Sequence, residues 1–198
     1  MVPDRLARAI AAIDAANHDD PNRILVRGEI RPKELAHAEL VTEWVTRLRP
    51  DPSEALLLAA RAHHLRRWIS PRTSYPEGRA GYLRWRRDQS QRQAADVGAL
   101  LDGAGYDELT IERVQAIMRK RDLGSDPDVQ ALEDAMCLVF LETQCDEMAE
   151  RLDRGHLVQV LRKSIAKMSP EGIALVAQVP LSAEAQDLVS EAAAPPAG

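Results

Sequence analysis

Aromatic residues, histidines and long hydrophobic runs are all scarce in this 198-residue chain. Aromatic side chains make up only 4% of the residues, so a core must be built mainly from Leu, Val, Ile and Ala, as in helical bundles. No apolar run approaches the roughly 20 residues that span a bilayer, and we expect no membrane association. The N-terminus carries Asp4 and Asp14 and lacks a clean apolar h-region, which argues against a secretory signal.

Cysteine is also rare, and its placement excludes a disulfide within the predicted structure. Cys137 and Cys145 fall on one predicted helix. Two helical turns, at about 1.5 Å of rise per residue, hold them too far apart for an S–S bond. Free cysteines suit a reducing compartment, so we expect a cytoplasmic protein.

Charge is unevenly distributed along the chain. The net charge of −5 argues against a general nucleic-acid coat. Residues 61–92 nevertheless contain nine arginines and two acids, which gives +7 and leaves −12 for the remainder. Arginine presents a planar fork that suits phosphate or carboxylate. A single arginine of this kind is more often part of a solvated, ion-paired surface, but nine interleaved with aromatics favour an anion site.

Periodicity and punctuation predict an all-α protein that forms one helical bundle. At this length a single domain over residues 1–193 is expected, followed by a disordered tail over 194–198. Apolar stripes and capping residues predict helices over residues 3–16, 32–48, 51–64, 79–101, 110–121, 128–152, 156–168 and 182–193, with a short one from 169. Residues 24–30 are the one plausible strand pair, as a small β-hairpin or an extended arm. Pro71 and Pro76 predict an extended segment over residues 69–77.

The stretch over residues 59–92, here called the Arg–aromatic segment, is the predicted ligand site. Four of the six Trp and Tyr residues lie within it. The candidate substrate-binding residues, which could neutralise a phosphate or stack on a base, are Arg66, Arg67, Trp68, Arg72, Tyr75, Arg79, Tyr82, Arg84, Trp85, Arg86 and Lys120. Alternatively, Trp68 and Trp85 pin the loop to the core, and Lys120 lies on the surface.

Histidine and a buried acid suggest a metal site beside this segment. His37, His63 and His64 lie on two consecutive helices predicted to be antiparallel neighbours, and Asp134 lies on the most apolar helix. Imidazole with carboxylate suits Zn, Mn, Fe or Ni. Adjacent histidines point about 100° apart on a regular helix, so both can face one ion only where the helix ends. The alternative is one packed, hydrogen-bonded histidine and one exposed histidine.

The sequence resembles an uncharacterised bacterial and fungal family, domain of unknown function 4202, over nearly its whole length. The shared pieces here are residues 32–35, 42–44, 64–68, 71–72, 74–76, 79–86, 105–106, 119–120, 126–127, 130, 132–134 and 137–142. The helix order is also similar to the HD superfamily of metal-dependent phosphohydrolases. That resemblance implies an HD-domain-like bundle with His37 at the first histidine, His63-His64 at the His-Asp doublet and Asp134 at the last aspartate. The doublet here is His-His and lacks the bridging carboxylate of that pattern.

Three functions are therefore weighed. The first is a metal-dependent phosphohydrolase acting on a nucleotide or another small phosphorylated molecule, with His64 and Asp134 as the catalytic candidates. The second is a metal-free module that binds a nucleotide or anionic metabolite through the Arg–aromatic segment. The third is contact with a short RNA or a protein, including homodimer formation through the last two helices.

Overall fold

A computed structural model describes residues 4–194 and confirms an all-α fold with one small hairpin. The helices of this range are α1 (Arg5–His18), α2 (Lys33–Leu48), α3 (Glu54–Ala62), α4 (Gly78–Gly103), α5 (Glu108–Met118), α6 (Pro127–Arg151), α7 (Arg154–Ile165), α8 (Pro170–Leu175) and α9 (Ala183–Ala193). The strands are β1 (Arg23–Val26) and β2 (Glu29–Pro32). Within this range, no helix is both long and apolar enough to cross a membrane. The predicted tail lies outside the described residues beyond Ala194.

The chain divides into two compact units, one up to Leu132 and one from Glu133, with α6 beginning in the first and ending in the second. The single domain expected over residues 1–193 stays a prediction.

Most helix starts are fixed by a local side-chain cap. The capping residues, whose side chains accept the backbone N–H three positions ahead, are Asp4, Ser53, Asp107, Asp153, Ser169 and Ser182. Each such bond satisfies a donor that the helix leaves unpaired, and stabilises the helix by about 1 kcal/mol. This explains why short-range signals placed the helices well.

Helix α3 lies at the centre of the first unit, where it packs against α1, α2 and α5. Leu56, Leu58 and Ala60 on this helix are fully buried, and Trp44 of α2 is almost fully buried. Because α3 is short and buried on most sides, its C-terminal end, where the two adjacent histidines lie, is held firmly in the interior.

The hairpin connects α1 to α2 through a two-residue turn. Arg23–Val26 pairs antiparallel with Glu29–Pro32, and the turn residues Arg27 and Gly28 both have positive φ, at +50° and +87°. Two successive positive φ values define the turn whose twist matches paired strands. Helix α2 begins directly at Lys33, so the hairpin sets the point where α2 enters the core.

The segment between α3 and α4 differs from the extended conformation expected over residues 69–77. Two short 3₁₀ turns, Arg67–Ile69 and Arg72–Ser74, interrupt it. Proline restrains the residue before it, and Tyr75 is indeed extended, but the residues after Pro71 are free to turn. The Arg72 side chain closes the second turn by donating to the Tyr75 carbonyl at 2.9 Å.

In the second unit, α7 packs against α9, and Arg154 forms an ion pair with Glu191 at 2.7 Å. The buried apolar side chains of this pair of helices include Leu157, Leu161 and Leu188.

Gly81 allows the start of α4 to lie against the loop that precedes it. A Cβ at this position would lie 1.9 Å from the carbonyl oxygen of Pro76 and 2.7 Å from its carbonyl carbon. Because backbone rather than a flexible side chain blocks the space, we expect Gly81→Ala to lower the free energy of unfolding of the first unit by about 1–3 kcal/mol. Urea unfolding followed by tryptophan fluorescence measures this, since all three tryptophans lie in the first unit.

The matched control is Gly103→Ala at the other end of the same helix, where a Cβ would meet no atom within 4 Å. Alanine favours helix over glycine by up to about 1 kcal/mol, so this variant should be neutral or slightly more stable. Equal effects of the two substitutions would contradict the close approach at Gly81.

Candidate functional site

Three side chains that can ligate a metal converge where α2 begins and α3 ends. One ligand atom from each of Glu34, His37 and His64 lies within 4.8 Å of the others. Glu34 and His37 are three residues apart on α2, so they share a face of that helix. His64 follows His63, the C-cap residue of α3. The structure therefore brings together two of the predicted ligands, His37 and His64, with a carboxylate that was not predicted.

Glu34 is held in place by an acid from the previous loop. Pro32 offers α2 no side-chain cap, and the carboxylate of Asp20 accepts the Glu34 backbone N–H at 2.9 Å instead. Asp20 and Glu34 are only 1% and 5% exposed. Burial raises the pKa of Glu34, but the imidazoles of His64 and His37 outweigh burial and hold the pKa well below its usual range. Glu34 is thus an ionised carboxylate in the interior.

His64 uses both of its ring nitrogens. Nδ1 lies 3.1 Å from Oε2 of Glu34, and Nε2 contacts Nη1 of Arg67. An ionised carboxylate can only accept and a guanidinium can only donate. The proton of His64 therefore sits on Nδ1, and Nε2 carries the lone pair. Burial, followed by the guanidinium of Arg67, lowers the pKa of His64 to about 4, so this imidazole is neutral at pH 7.

His37 lies beside the same carboxylate. Its Nδ1 is 3.6 Å from Oε2 of Glu34, and its ring centroid is 6.4 Å from that of His64. The side chain is buried, at 4% exposure for the residue. One carboxylate oxygen thus faces the Nδ1 atoms of two imidazoles.

His63 has a backbone partner rather than a place in this cluster. Its Nδ1 donates to the Ala60 carbonyl at 2.9 Å, one turn back along α3. Burial, followed by the neighbouring His64, lowers the pKa of His63 well below its ordinary value of 6.5. The His-His doublet therefore divides into a packed histidine and a histidine joined to Glu34.

Asp134 lies in the second unit and holds the start of α8. Its Oδ1 accepts the Ser169 backbone N–H at 2.9 Å, and its Oδ2 accepts the Ser169 hydroxyl. A Cβ on Gly172 would lie 2.6 Å from the Asp134 carboxyl carbon, so the carboxylate packs directly on the α8 backbone. Asp134 is only 2% exposed, and its carboxylate holds the backbone at the start of α8.

Arg67 is the member of the Arg–aromatic segment that joins the histidine cluster. It donates to His64, and its guanidinium carbon lies 5.0 Å from the centre of the Trp85 ring. Among the described residues, no carboxylate forms an ion pair with Arg67, and burial lowers the pKa of this arginine. A half-buried guanidinium without a carboxylate in direct contact can attract an oxyanion.

Trp85 links Arg67 to an exposed aromatic side chain. Trp85 is 9% exposed and donates its Nε1–H to the Ser70 carbonyl at 2.9 Å. The ring of Tyr82, which is 43% exposed, lies 6.0 Å from it, and the guanidinium carbon of Arg86 lies 5.8 Å from Tyr82. The contacts therefore run without a gap from the buried carboxylate to the surface.

Other members of the segment have structural partners. Arg72 donates to backbone carbonyls of its own loop, and the exposed Arg84 lies 3.8 Å from Asp88. Arg66 adopts a left-handed conformation with φ +50°, and its backbone N–H donates to the Asn17 side chain at 3.0 Å.

The remaining predicted residues are less closely tied to the cluster. Trp68 and Tyr75 are half-buried, and Arg79 is exposed at the start of α4. Lys120 has φ +55° in the turn after α5.

Glu34 is the residue that sequence reasoning missed. The signal was present as Glu34-Leu35-Ala36-His37, a spacing that puts a carboxylate and an imidazole on one helical face. The same spacing is used by helical bundles that bind metals in their cores. A Glu in a first helical turn more commonly faces solvent. The structure shows that this one is buried and that Asp20 caps its backbone N–H.

The fold and the site describe an all-α protein with a buried Glu-His-His cluster whose His64 contacts an arginine, Arg67. A family model, Domain of unknown function (DUF4202), matches residues 7–189, and the chain belongs to that family. No curated protein and no solved structure matches the chain. Family membership confirms the resemblance seen in the sequence, whereas the HD-like layout stays a prediction.

The buried imidazoles of His64 and His63 make the stability of the first unit depend on pH. Unfolded His64 takes up a proton near pH 6.5, whereas folded His64 does so only near pH 4. Between these values the unfolded state binds more protons, so the free energy of unfolding falls as pH falls. His63 acts in the same direction. We expect His64→Asn to reduce this slope by up to about 1.4 kcal/mol per pH unit.

Urea unfolding of both proteins, followed by tryptophan fluorescence from pH 7.5 to 4.5, measures the slope. Asparagine does not titrate in this pH range, but its amide keeps an N–H donor toward Glu34. The variant therefore removes the protonation of His64 while retaining the hydrogen bond to Glu34. The slope should fall without vanishing, since His63 remains. An unchanged slope would show that His64 titrates alike in the folded and unfolded chains.

Proposed function

We propose that the first unit is a metal-dependent phosphohydrolase that acts on a nucleotide or another small phosphorylated molecule. The observation that carries the proposal is the buried Glu34 carboxylate. It is ionised and faces two imidazoles, and among the described residues no lysine or arginine forms an ion pair with it. An ionised carboxylate removed from water requires a compensating positive charge.

The donor set fits a divalent cation of the Zn, Mn, Fe or Ni type. Two imidazoles and one carboxylate, with ligand atoms within 4.8 Å of one another, are the donors found in catalytic zinc and non-haem iron sites. Glu34, His37 and His64 would hold the ion. When bound, such an ion polarises a phosphoryl oxygen and lowers the pKa of a coordinated water to about 7.

Arg67 would bind the phosphoryl group of the substrate. Its guanidinium lies over Trp85 and in contact with His64, so it is within reach of a substrate bound beside the cluster. A guanidinium can donate two N–H bonds to a phosphoryl group and so stabilises negative charge that develops there. Tyr82 and Arg86, further along the same chain of contacts, would meet the rest of the substrate.

The proposed setting is the cytoplasm, which the two free, buried cysteines suit. A small anionic ligand is the proposed partner.

Metal binding is the first test, and Glu34 is the residue that decides it. Wild-type protein purified without an affinity tag should carry, or take up, one divalent ion per chain. Glu34→Gln should weaken binding by more than about 100-fold, since even residues that only orient a ligand contribute about 10- to 100-fold. Plasma mass spectrometry and isothermal titration measure content and affinity.

Asp134→Asn is the matched variant, because the amide keeps an acceptor for the Ser169 N–H. Retained metal in this variant supports the Glu34, His37 and His64 set. Loss of metal would instead support the ligands that the HD pattern implies, with Asp134 among them. Failure of the wild type to bind Mn, Fe, Ni or Zn would exclude the metal-dependent function.

A metal-free binding module is the second candidate, and the state of His64 favours it. Both ring nitrogens already have partners, so His64 is satisfied without a metal. In this case Arg67 would still bind an oxyanion, and the cluster beneath it would hold the arginine in position. The ligand would be a nucleotide or an anionic metabolite.

Thermal unfolding in the presence of EDTA tests the second candidate. A phosphorylated ligand at 100 times its Kd should stabilise the wild type by about 2.7 kcal/mol, while Arg67→Met should lose most of that effect. Arg84→Met, which removes an exposed arginine near Asp88, is the matched control and should respond like the wild type. Ligand responses that are equal in all three proteins would place the anion site elsewhere.

A further inference from the structure

The hydrogen bonds of His64 fix one tautomer. Nδ1 must carry the proton, because it faces the Glu34 carboxylate at 3.1 Å, and Nε2 must be bare, because it faces a guanidinium N–H of Arg67. The Nδ1 atom is also the one directed at the carboxylate oxygen that His37 approaches at 3.6 Å. The nitrogen best placed to join a metal is therefore the nitrogen that is protonated.

His64 can offer Nδ1 to a cation only if its proton moves to Nε2. The Nε2–H would then point at an N–H of Arg67, so two donors would oppose each other in a partly buried site. A buried donor that loses its acceptor is left unsatisfied, which is unfavourable. The contact between Arg67 and His64 consequently opposes metal binding, and it must break before His64 can act as a ligand through Nδ1.

Arg67 is well suited to leave. Among the described residues no carboxylate forms an ion pair with it, and besides His64 its side chain lies over the ring of Trp85. A tetrahedral oxyanion offers the guanidinium two charged acceptors, against one neutral lone pair on His64. An oxyanion that draws Arg67 away would free Nε2 to take the proton and Nδ1 to take the metal.

We propose that Arg67 is a positioning residue that couples the two ligands of the site, so that binding of a phosphate-like oxyanion strengthens binding of the divalent cation at Glu34, His37 and His64. This inference rests on the metal site of the proposed function. By linkage, the cation must strengthen anion binding by the same factor. The substrate would thus assemble the site that acts on it, and the metal would be held less tightly in the absence of substrate.

The test uses Zn²⁺ as the cation and sulfate as a soluble tetrahedral oxyanion, with chloride at matched ionic strength as the reference. We expect sulfate to lower the Kd for Zn²⁺ in the wild type by about 5- to 150-fold, the usual range of coupling between sites. In Arg67→Met the Kd should already be low in chloride and should change less than about twofold with sulfate, since coupling is absent. Isothermal titration measures both.

Removing an arginine also removes a positive charge, which by itself favours a cation. Arg87→Met controls for this, because Arg87 is an exposed arginine of the same segment whose charged partner is Asp88, at 3.0 Å. It should retain the sulfate effect. Arg67→Gln is the second substitution at the site, since a side-chain amide can donate or accept and so permits either tautomer. Arg67→Gln should show the same low Kd for Zn²⁺ and the same lack of a sulfate effect. It replaces Arg67→Met in the test if that variant folds poorly.

Nitrogen-15 NMR of the histidine rings gives a readout that needs no metal. In chloride the wild type should show the Nδ1–H form of His64, and sulfate should shift it toward the Nε2–H form. Zinc binding that is equal with and without sulfate, in wild type and in Arg67→Met alike, would overturn the coupling and leave the metal site standing. Absence of zinc binding in every variant would overturn both.

Discussion

A single buried carboxylate sets the conditions that the rest of the first unit must meet. Glu34 is 5% exposed and ionised, so its charge has to be balanced inside the protein. The imidazoles of His37 and His64 give it polar neighbours, and that of His64 is neutral at pH 7, so it supplies a hydrogen bond but no charge. The nearest permanent positive charge in this chain of contacts is Arg67, on the far side of His64. The ring of His64 therefore links a negative and a positive group, which fixes its tautomer and keeps it neutral.

The position of Arg67 depends in turn on the first turns of α4. Residues Gly81, Trp85 and Gln89 form the buried stripe of this part of the helix. Trp85 and Gln89 both donate to the Ser70 carbonyl, and Gln89 also donates to that of Arg67 at 2.8 Å. Irregular backbone needs such partners when it is buried. The helix thus holds the loop by its carbonyl groups, and the loop in turn presents the Arg67 guanidinium to His64.

Signals within a few residues made the fold predictable, whereas contacts over long separations decided the site. Capping side chains such as Ser53 and Asp107 bind the backbone N–H three residues ahead, so they can be recognised in the sequence. Asp20, fourteen residues earlier, accepts the Glu34 backbone N–H, and no local pattern reveals this contact or the burial of Glu34. Asp134 was correctly expected to be buried. Its acceptance of two hydrogen bonds from Ser169, thirty-five residues later, is a contact that spacing cannot show.

The adjacent histidines illustrate the same limit at a smaller scale. A helix that continued would have separated His63 and His64 by about 100°, so the sequence left open which of them faced inward. The helix ends at Ala62, and the ring of His63 donates its Nδ1–H to the carbonyl of Ala60. His64 is then released from the helical path and can reach α2. Because the helix ends here, the two adjacent histidines lie in different environments.

Composition predicts an anion-binding region in residues 59–92, and the availability of partners distinguishes the arginines there. Arg61 and Arg92 are paired with Asp14 and Asp96, while Arg84 and Arg87 both lie near Asp88. Arg72 is committed to carbonyl groups, and Arg86 is exposed to water, which screens its charge. Arg67 combines desolvation with the lack of a carboxylate partner among the described residues. Its attraction for an oxyanion is therefore the least screened in the segment, and selectivity for a phosphoryl group should be concentrated in that one side chain.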